Sequence, residues 1–249
     1  MINSSIKNKI MENVTVDFIN PTPYMEKDSI FYRFKRKITL GPILRRIRKM
    51  VPKNKIFSLL DIGSGSGYLI FFLESEFPKA SFTGLEYDPR LVELSKRKVK
   101  NANIIQGNAE NFDFKDKKFD IIVSLQVIEH LYRPELMLKC VKKHLEKNGF
   151  FILSTPNLES LGAKCMKKKW HGFRADHVSL KSFTEWKALC EQHGFTTIYC
   201  GSTFFSGIPI LNRFPFGLIN WGLLFIFGSL RWKHGESFIG VFKLNENKL

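Results

Sequence analysis

The chain has 249 residues and carries 39 Lys and Arg against 23 Asp and Glu, a net charge of +16. Its apolar fraction of 44% is ordinary for a globular chain and supplies the core of one α/β domain with additions, or of two small domains at most. The four cysteines, Cys140, Cys165, Cys190 and Cys200, form no CxxC pair, which excludes a zinc knuckle or a dithiol redox motif and is expected of reduced thiols in a cytoplasmic protein. The excess of positive charge suits an anionic partner (nucleic acid, phospholipid surface or phosphorylated substrate) and equally a proteome rich in lysine. The first residues, MINSSIKNKIMENVTVDF, lack the continuous apolar run of a secretory signal.

In chain order, residues 1–54 are expected to form a basic, helical region that acts as a lid or substrate-facing cap on a domain covering 55–249. Within it, FYRFKRKITLGPILRRIRKM (31–50) has Ile38, Ile43, Leu44, Ile47 and Met50 at helical spacing between Arg and Lys. That pattern predicts a basic amphipathic helix interrupted around Gly41-Pro42. Strands are then expected over 56–62, 80–86, 102–106, 119–125, 149–154, 196–201 and 238–243. Helices are expected over 67–77, 89–99, 134–145 and 181–193, with Pro134 in a first helical turn and Gly194 closing the last helix. This alternation predicts a doubly wound α/β fold, a seven-stranded Rossmann-like sheet that is parallel except for an antiparallel last strand.

An apolar insert at 204–236 interrupts that alternation, and no good helix is expected in it. From Phe214 to Leu230 there is no charge over 17 residues, the low edge for a membrane span, and Pro215, Gly217, Asn220 and Gly222 interrupt the run. Arg213, Arg231, Trp232 and Lys233 flank it in the manner of an interfacial segment. It is read as a lip seated on an anionic membrane at its inner face, aided by the basic stretches 33–49 and 164–169. A hairpin folded over the core and a dimer contact are the other readings.

The most specific signal is LLDIGSGSGYLI (59–70), a buried strand ending in Asp61, then Gly63, Gly65 and Gly67, then a helix. The glycines allow a tight turn and close approach of a ligand, and the helix N-terminus offers free N–H groups. A P-loop would need Lys-Ser/Thr after the last glycine, where Tyr68-Leu69 stands. The dinucleotide fingerprint would need Gly or Ala at Tyr68.

The remaining pattern, D-x-G-x-G-x-G, resembles motif I of the class I S-adenosylmethionine-dependent methyltransferases. Glu86, nineteen residues past Gly67, matches the family's ribose-binding acid. QGNAENFDF (106–114) resembles its adenine loop, with Asn108 where many relatives have Asp and Ala109 beside it. Tyr87 and Gln126 complete the cofactor set that the resemblance implies. It extends over about residues 35–201 and the last strand.

SLQVIEHL (124–131) is similar to a run in the ubiquinone-biosynthesis O-methyltransferases and in enzymes that 2′-O-methylate the 3′ end of small RNAs. In those, an E-x-x-E-H run helps to hold a divalent metal. Glu129 and His130 match, His177 in FRADHVSLKSFTEW (173–186) supplies a second histidine, STPN (154–157) also fits, and Gln126 departs from the first Glu. The resemblance implies a metal at Glu129, His130 and His177. Two imidazoles and one carboxylate favour Mn²⁺, Fe²⁺ or Zn²⁺ over Mg²⁺. A metal-free pocket with His130 as general base, His177 second and Glu129 beside them is the other reading, and a structural role is the third. Phe31, Tyr32, Trp170 and Phe173 are candidates for an aromatic lid, and Arg33 or Arg36 for the cofactor carboxylate. The expected reaction is O-methylation of a lipophilic or lipid-linked small molecule. RNA 2′-O-methylation and a non-catalytic membrane scaffold are the alternatives.

Overall fold

The computed structural model describes residues 30–52, 54–203 and 216–245. The described elements are helix α1 (Ile30–Met50), strand β1 (Ser58–Ile62), α2 (Tyr68–Glu76), β2 (Ser81–Glu86), α3 (Pro89–Lys98), β3 (Asn103–Gln106) and β4 (Phe119–Leu125). A 3₁₀ turn (Ile128–His130) follows, then α4 (Pro134–His144), β5 (Leu145–Pro156), α5 (Leu161–Met166), a second 3₁₀ turn (Lys167–Lys169), α6 (Phe183–Gln192), β6 (Phe195–Ser202), α7 (Phe216–Phe227) and β7 (Ser237–Leu244).

The seven strands form one sheet in the order β3-β2-β1-β4-β5-β7-β6. β1 pairs in parallel with β2 and with β4, and only β7 runs antiparallel, between β5 and β6. The chain moves outward from β1 to β3, then returns to the other side of β1 as β4. The ends of β1 and β4 therefore diverge into loops on opposite sides of one crevice, which is where open α/β sheets bind ligands.

Both faces of the sheet are covered, and the period of two along each strand assigns the residues. Leu59, Ile121, Val123 and Ile152 face α1, α2 and α3 and pack on Leu44, Ile47, Leu69, Leu73 and Val92. Leu60, Ile62, Ile122 and Leu153 face α4 and α6 and pack on Met137, Leu138, Val141, Trp186 and Cys190. Local chemistry sets the helix ends. The Asp88 carboxylate accepts from Arg90 N at 2.8 Å, with Pro89 in the first turn and Lys96, Arg97 and Lys98 in the last turn of α3. Ser182 and Glu185 form a reciprocal capping box on α6.

Four expectations need correction. α1 continues through Gly41-Pro42 without a break. An interior proline costs about 3 kcal/mol, but Ile43, Leu44 and Ile47 are almost wholly buried, and each contributes roughly 1.5–3 kcal/mol. Packing outweighs the lost hydrogen bond. β1 starts at Ser58, not Ile56, because the Asp120 carboxylate accepts from both Ser58 N (2.8 Å) and Ser58 Oγ (2.9 Å) and sets the strand's start, while Ile56 is exposed. The apolar insert does contain a helix, α7, which packs against α1. The rest of the insert's first half, residues 204–215, lies outside the described residues, as does 1–29 of the expected lid. β5 begins four residues earlier than expected, at Leu145.

One buried residue joins the returning segments. Asn157 is fully buried and uses its whole hydrogen-bonding capacity. Its Nδ2 donates to Lys233 O and Gly235 O, both at 2.8 Å, and its Oδ1 accepts from Glu159 N (3.0 Å) and Phe183 N (2.8 Å). Loss of that side chain strands four backbone groups, at about 1–3 kcal/mol for each one that stays dry. Asn157→Ala is expected to lower unfolding stability by about 3 kcal/mol or more in urea titrations. Asn157→Asp should recover little of this, because a carboxylate cannot donate to the two carbonyls.

Candidate functional site

The site begins with backbone shape. Gly63, Gly65 and Gly67 all have positive φ (69°, 55° and 77°), a region that side-chain-bearing residues rarely adopt. At Gly63 a Cβ would overlap the Val127 side chain from the β4 loop, and at Gly67 it would overlap Ser95 of α3. The turn is therefore both left-handed and pressed between neighbours. Gly63 N and Ser64 N donate to Leu85 O at 2.7 and 3.1 Å, which ties the turn to the end of β2.

Glu86, the last residue of β2, is almost fully buried. Its Oε2 accepts from Gly65 N at 2.7 Å, and its Oε1 accepts from Tyr87 N (2.9 Å) and Asp88 N (3.0 Å). Three of roughly four lone-pair positions are thus used by backbone, and the fourth is left for a ligand.

A cavity of about 870 Å³ opens over this turn, within the range of small-molecule sites. Asp61, Gly63, Gly65, Glu86, Tyr87, Asn108, Ala109 and Gln126 are among the residues that line it. Arg36, Thr39, Leu40, Pro42 and Ile43 of α1 line it from above, while His130, Leu131, Tyr132 and Arg133 line the side that follows β4. Gln126 holds a left-handed conformation (φ 57°), its N–H donating to Ser154 O at 2.7 Å, so β4 ends sharply and Val127 turns toward the glycines. Such a conformation costs about 1–3 kcal/mol and is held by its surroundings.

Next to the cavity, Glu129, His130 and His177 each present a ligand atom, all within 4.8 Å of one another. The two imidazole rings meet edge to face at 4.7 Å. His130 Nδ1 lies 3.0 Å from Asp176 O, and His177 Nδ1 lies 2.7 Å from Gly172 O. A carbonyl only accepts, so each Nδ1 carries the proton and each Nε2 keeps its lone pair. Glu129 is fully buried, with Oε2 accepting from Thr155 Oγ1 at 3.0 Å while Oε1 has no partner. Ser179 fixes the histidine loop to the 3₁₀ turn through Ile128 O (2.9 Å) and Glu129 O (3.0 Å).

A family described as a methyltransferase domain matches residues 32–199. The chain belongs to this methyltransferase family. The malonyl-[acyl-carrier protein] O-methyltransferase of Paenibacillus sp. is 26% identical over 160 residues, covering 57% of this chain and 56% of the relative. The ubiquinone biosynthesis O-methyltransferase of Rickettsia conorii is 27% identical over 118 residues, covering 47% and 40%. The chain thus spans about half the length of the curated relatives it matches. The plantazolicin methyltransferase BpumL, solved with a desmethyl analogue of plantazolicin and S-adenosylhomocysteine, superposes with a TM-score of 0.59 at 17% identity, covering 98% of this chain and 92% of that one. That likeness is one of fold, the class I methyltransferase fold expected from the sequence.

On this methyltransferase scaffold the expected cofactor residues share one cavity, apart from Gly67, which caps α2 behind it. The lid candidates divide. Trp170 is core, not lid: it is 1% exposed and its Nε1 donates to the buried Glu236 carboxylate at 2.6 Å. Phe173 stands exposed with its ring edge-on to Trp170. Tyr32 packs edge-on against the cavity residue Tyr68 and accepts from Arg36 Nε at 3.0 Å, whereas Phe31's side chain lies outside the described set. Arg36 reaches the cavity, and Arg33 lies over Phe71 instead. Sequence reasoning missed Thr155, Asp176 and Gly172, the groups that hold the Glu–His cluster. Two of them act through backbone carbonyls, which leave no mark in a sequence.

Burial decides the charge states. It pushes the Asp61 carboxyl up to about 8, helped by the neighbouring charge of Glu86, and the Glu129 carboxyl also to about 8. Burial pushes Glu86 up as well, opposed by its three backbone donors, and pulls both His130 and His177 down, so that they stay neutral at physiological pH. For an acid raised on folding, the native state binds the proton more tightly. Stability is then complete below the unfolded value near 4 and is lost as pH rises toward 8. Below about pH 6.5 the two lowered histidines contribute the opposite slope, so the unliganded protein is expected to lose stability chiefly from pH 6.5 to 8, by up to about 1.4 kcal/mol per pH unit for each such acid. Asp61→Asn should flatten the slope by one acid's share in urea titrations across that range.

Proposed function

We propose that the chain is an S-adenosylmethionine-dependent O-methyltransferase whose acceptor is a lipophilic or carrier-linked small molecule. The observation that carries this reading is the convergence of the glycine turn, the Glu86 carboxylate and the Asn108-Ala109 loop on one cavity whose far side holds a neutral histidine. Curated relatives whose names specify malonyl-[acyl-carrier protein] and ubiquinone biosynthesis support an acceptor of this class.

When bound, the cofactor supplies a methyl group already activated on a sulfonium sulfur. Glu86 would hold its ribose, the 108–109 loop its adenine, and Asp61 would face its cationic end. The chain's task is then chiefly alignment and exclusion of water. The cap formed by α1 above the glycine turn serves both ends, with Arg36 a partner for a carboxylate and Leu40 and Ile43 presenting apolar surface to an acceptor. His130 Nε2 takes the acceptor hydroxyl's proton. Its Nδ1–H is held by Asp176, whose carboxylate Oδ2 lies 3.5 Å away and supports the imidazolium that forms.

One observation favours a second reading of the same cluster. Glu129 Oε1 is buried without a partner, and one ligand atom each of Glu129, His130 and His177 lies within 4.8 Å of the other two. These three atoms fit a divalent cation of the imidazole-tolerant kind, and their Nδ1 hydrogen bonds are those that orient metal-ligating histidines. Such an ion would orient acceptor oxygens and lower the hydroxyl's pKa. His130 would then be a ligand and not a base. The scaffold alternative gains no comparable support, since a scaffold has no use for a neutral histidine beside the cavity, and no relative named above has a name that specifies RNA.

The test is transfer of labelled methyl from S-adenosylmethionine into organic-extractable acceptors from lipid extracts. His130→Gln is expected to lower the rate by about 10²–10⁴ while cofactor affinity stays within twofold. Because burial lowers the His130 pKa, the wild-type rate should hold through neutral pH and fall only below pH 6.5. Loss of activity to a chelator, restored by Mn²⁺ or Zn²⁺, would select the second reading. No transfer to any acceptor by folded, cofactor-loaded protein would overturn both.

A further inference from the structure

α7 and α1 together make a surface of unusual chemistry. α7 (FGLINWGLLFIF) has no charged residue. Phe216, Leu218, Ile219 and Ile226 are 50–67% exposed, whereas Gly217 is buried. At 3.6 residues per turn those four side chains and Gly222 fall on one side of the helix and Gly217 on the other. The apolar side faces outward, and the helix's inward side packs on α1.

α1 carries eight Arg and Lys and no acid over 21 residues. Arg33, Lys35 and Lys37 in its first half are exposed, as is Phe34 at 60%. The join between the helices is cationic too. Arg46 Nη2 donates to Ser229 Oγ at 3.0 Å and its guanidinium lies over the Tyr199 ring at 3.3 Å, with Arg231 over the same ring at 5.7 Å. From Phe216 to Gly235 no acidic residue interrupts the surface.

We propose that this face seats the protein on an anionic lipid bilayer, α7 lying in the interface with its apolar side down and the α1 cations against the headgroups. Charge complementarity chooses the occupant. A second copy of this chain would bring like charges together across the contact, on a molecule of net charge +16. A nucleic acid would match the cations but leave the apolar side of α7 in water. An anionic bilayer satisfies both at once. The helix lies on the membrane and does not cross it: its 12 residues extend roughly 18 Å against a hydrocarbon core of about 30 Å. No helix among the described residues is long and apolar enough to cross a membrane.

The inference reaches the site through α1. The same helix that carries the cations lines the cavity with Arg36, Thr39, Leu40 and Ile43. A membrane under α1 and α7 would stand beside the cavity mouth, so a lipophilic acceptor could pass between bilayer and cavity with little exposure to water. That last step rests on the proposed function, but membrane seating does not.

The experiment is flotation of the full chain with vesicles of phosphatidylcholine alone or with one-third phosphatidylglycerol. Strong binding is expected only to the anionic vesicles, weakening as salt rises. Leu218→Glu/Ile226→Glu should weaken it at least tenfold. Lys35→Gln/Lys37→Gln should weaken it about fivefold for each cation removed. All four positions are exposed, so melting temperatures should match the wild type. S-adenosylmethionine binding on the same samples keeps a failed membrane inference distinct from a failed methyltransferase reading. Equal binding to both vesicles, or binding that neither double variant changes, would overturn the proposal. So would a concentration-dependent dimer that Leu218→Glu/Ile226→Glu abolishes, or RNA competing for the face with no lipid binding.

Discussion

The Glu86 carboxylate, held by three backbone N–H groups, is the contact on which the site depends. One of those donors, Gly65, belongs to the glycine turn after β1, and the other two belong to the chain leaving β2. The bond from Gly65 therefore closes the crevice between two neighbouring parallel strands and fixes the turn's height above the sheet. The left-handed glycines, the overlap that forbids a Cβ at Gly63, and the twist at Gln126 all follow from keeping that crevice narrow and open at once. An acid at this place is costly, because burial pushes its pKa up. The backbone donors offset part of that cost and leave one direction open to a ligand.

The electrostatics of the interior and the surface oppose one another. The chain is strongly basic outside, yet Asp61 and Glu86 line the cavity and Glu129 lies buried beside it, each raised by desolvation. A cavity walled by acids that would rather be neutral favours ligands that bring positive charge, such as a sulfonium or a metal ion. The same acids weaken the unliganded fold as pH rises. Binding at this site thus relieves a strain already present in the empty protein, and cofactor and stability are linked.

Much of the fold and of the cofactor half of the site was legible in the sequence, because the determinants are local. Asp61 to Gly67 is a strand end, turn and helix start written in seven residues, and Glu86 ends the next strand. Alternating burial along β1 and β4 is likewise a local pattern. Pro42 misled because a local cost was outweighed by Ile43, Leu44 and Ile47 packing across the molecule. α7 was missed because glycines and Asn220 lower its propensity, while its contact with α1 supplies what propensity lacks. Trp170 looked like a lid because its partner, Glu236, is 66 residues away in sequence. The Glu129–His130–His177 cluster was suggested by resemblance alone. What orients it (the carbonyls of Asp176 and Gly172, and Thr155) depends on a loop path that no spacing in the sequence encodes.

The central claim is that the crevice closed by Glu86 binds S-adenosylmethionine. Calorimetric titration of the purified chain with S-adenosylmethionine, beside Glu86→Ala and Glu86→Gln, tests it most directly. The account predicts micromolar binding by the wild type, loss of at least tenfold in both variants, and a wild-type melting temperature raised by the ligand. A wild-type protein that is folded by circular dichroism yet takes up no cofactor would contradict it, as would variants that bind as tightly as the wild type.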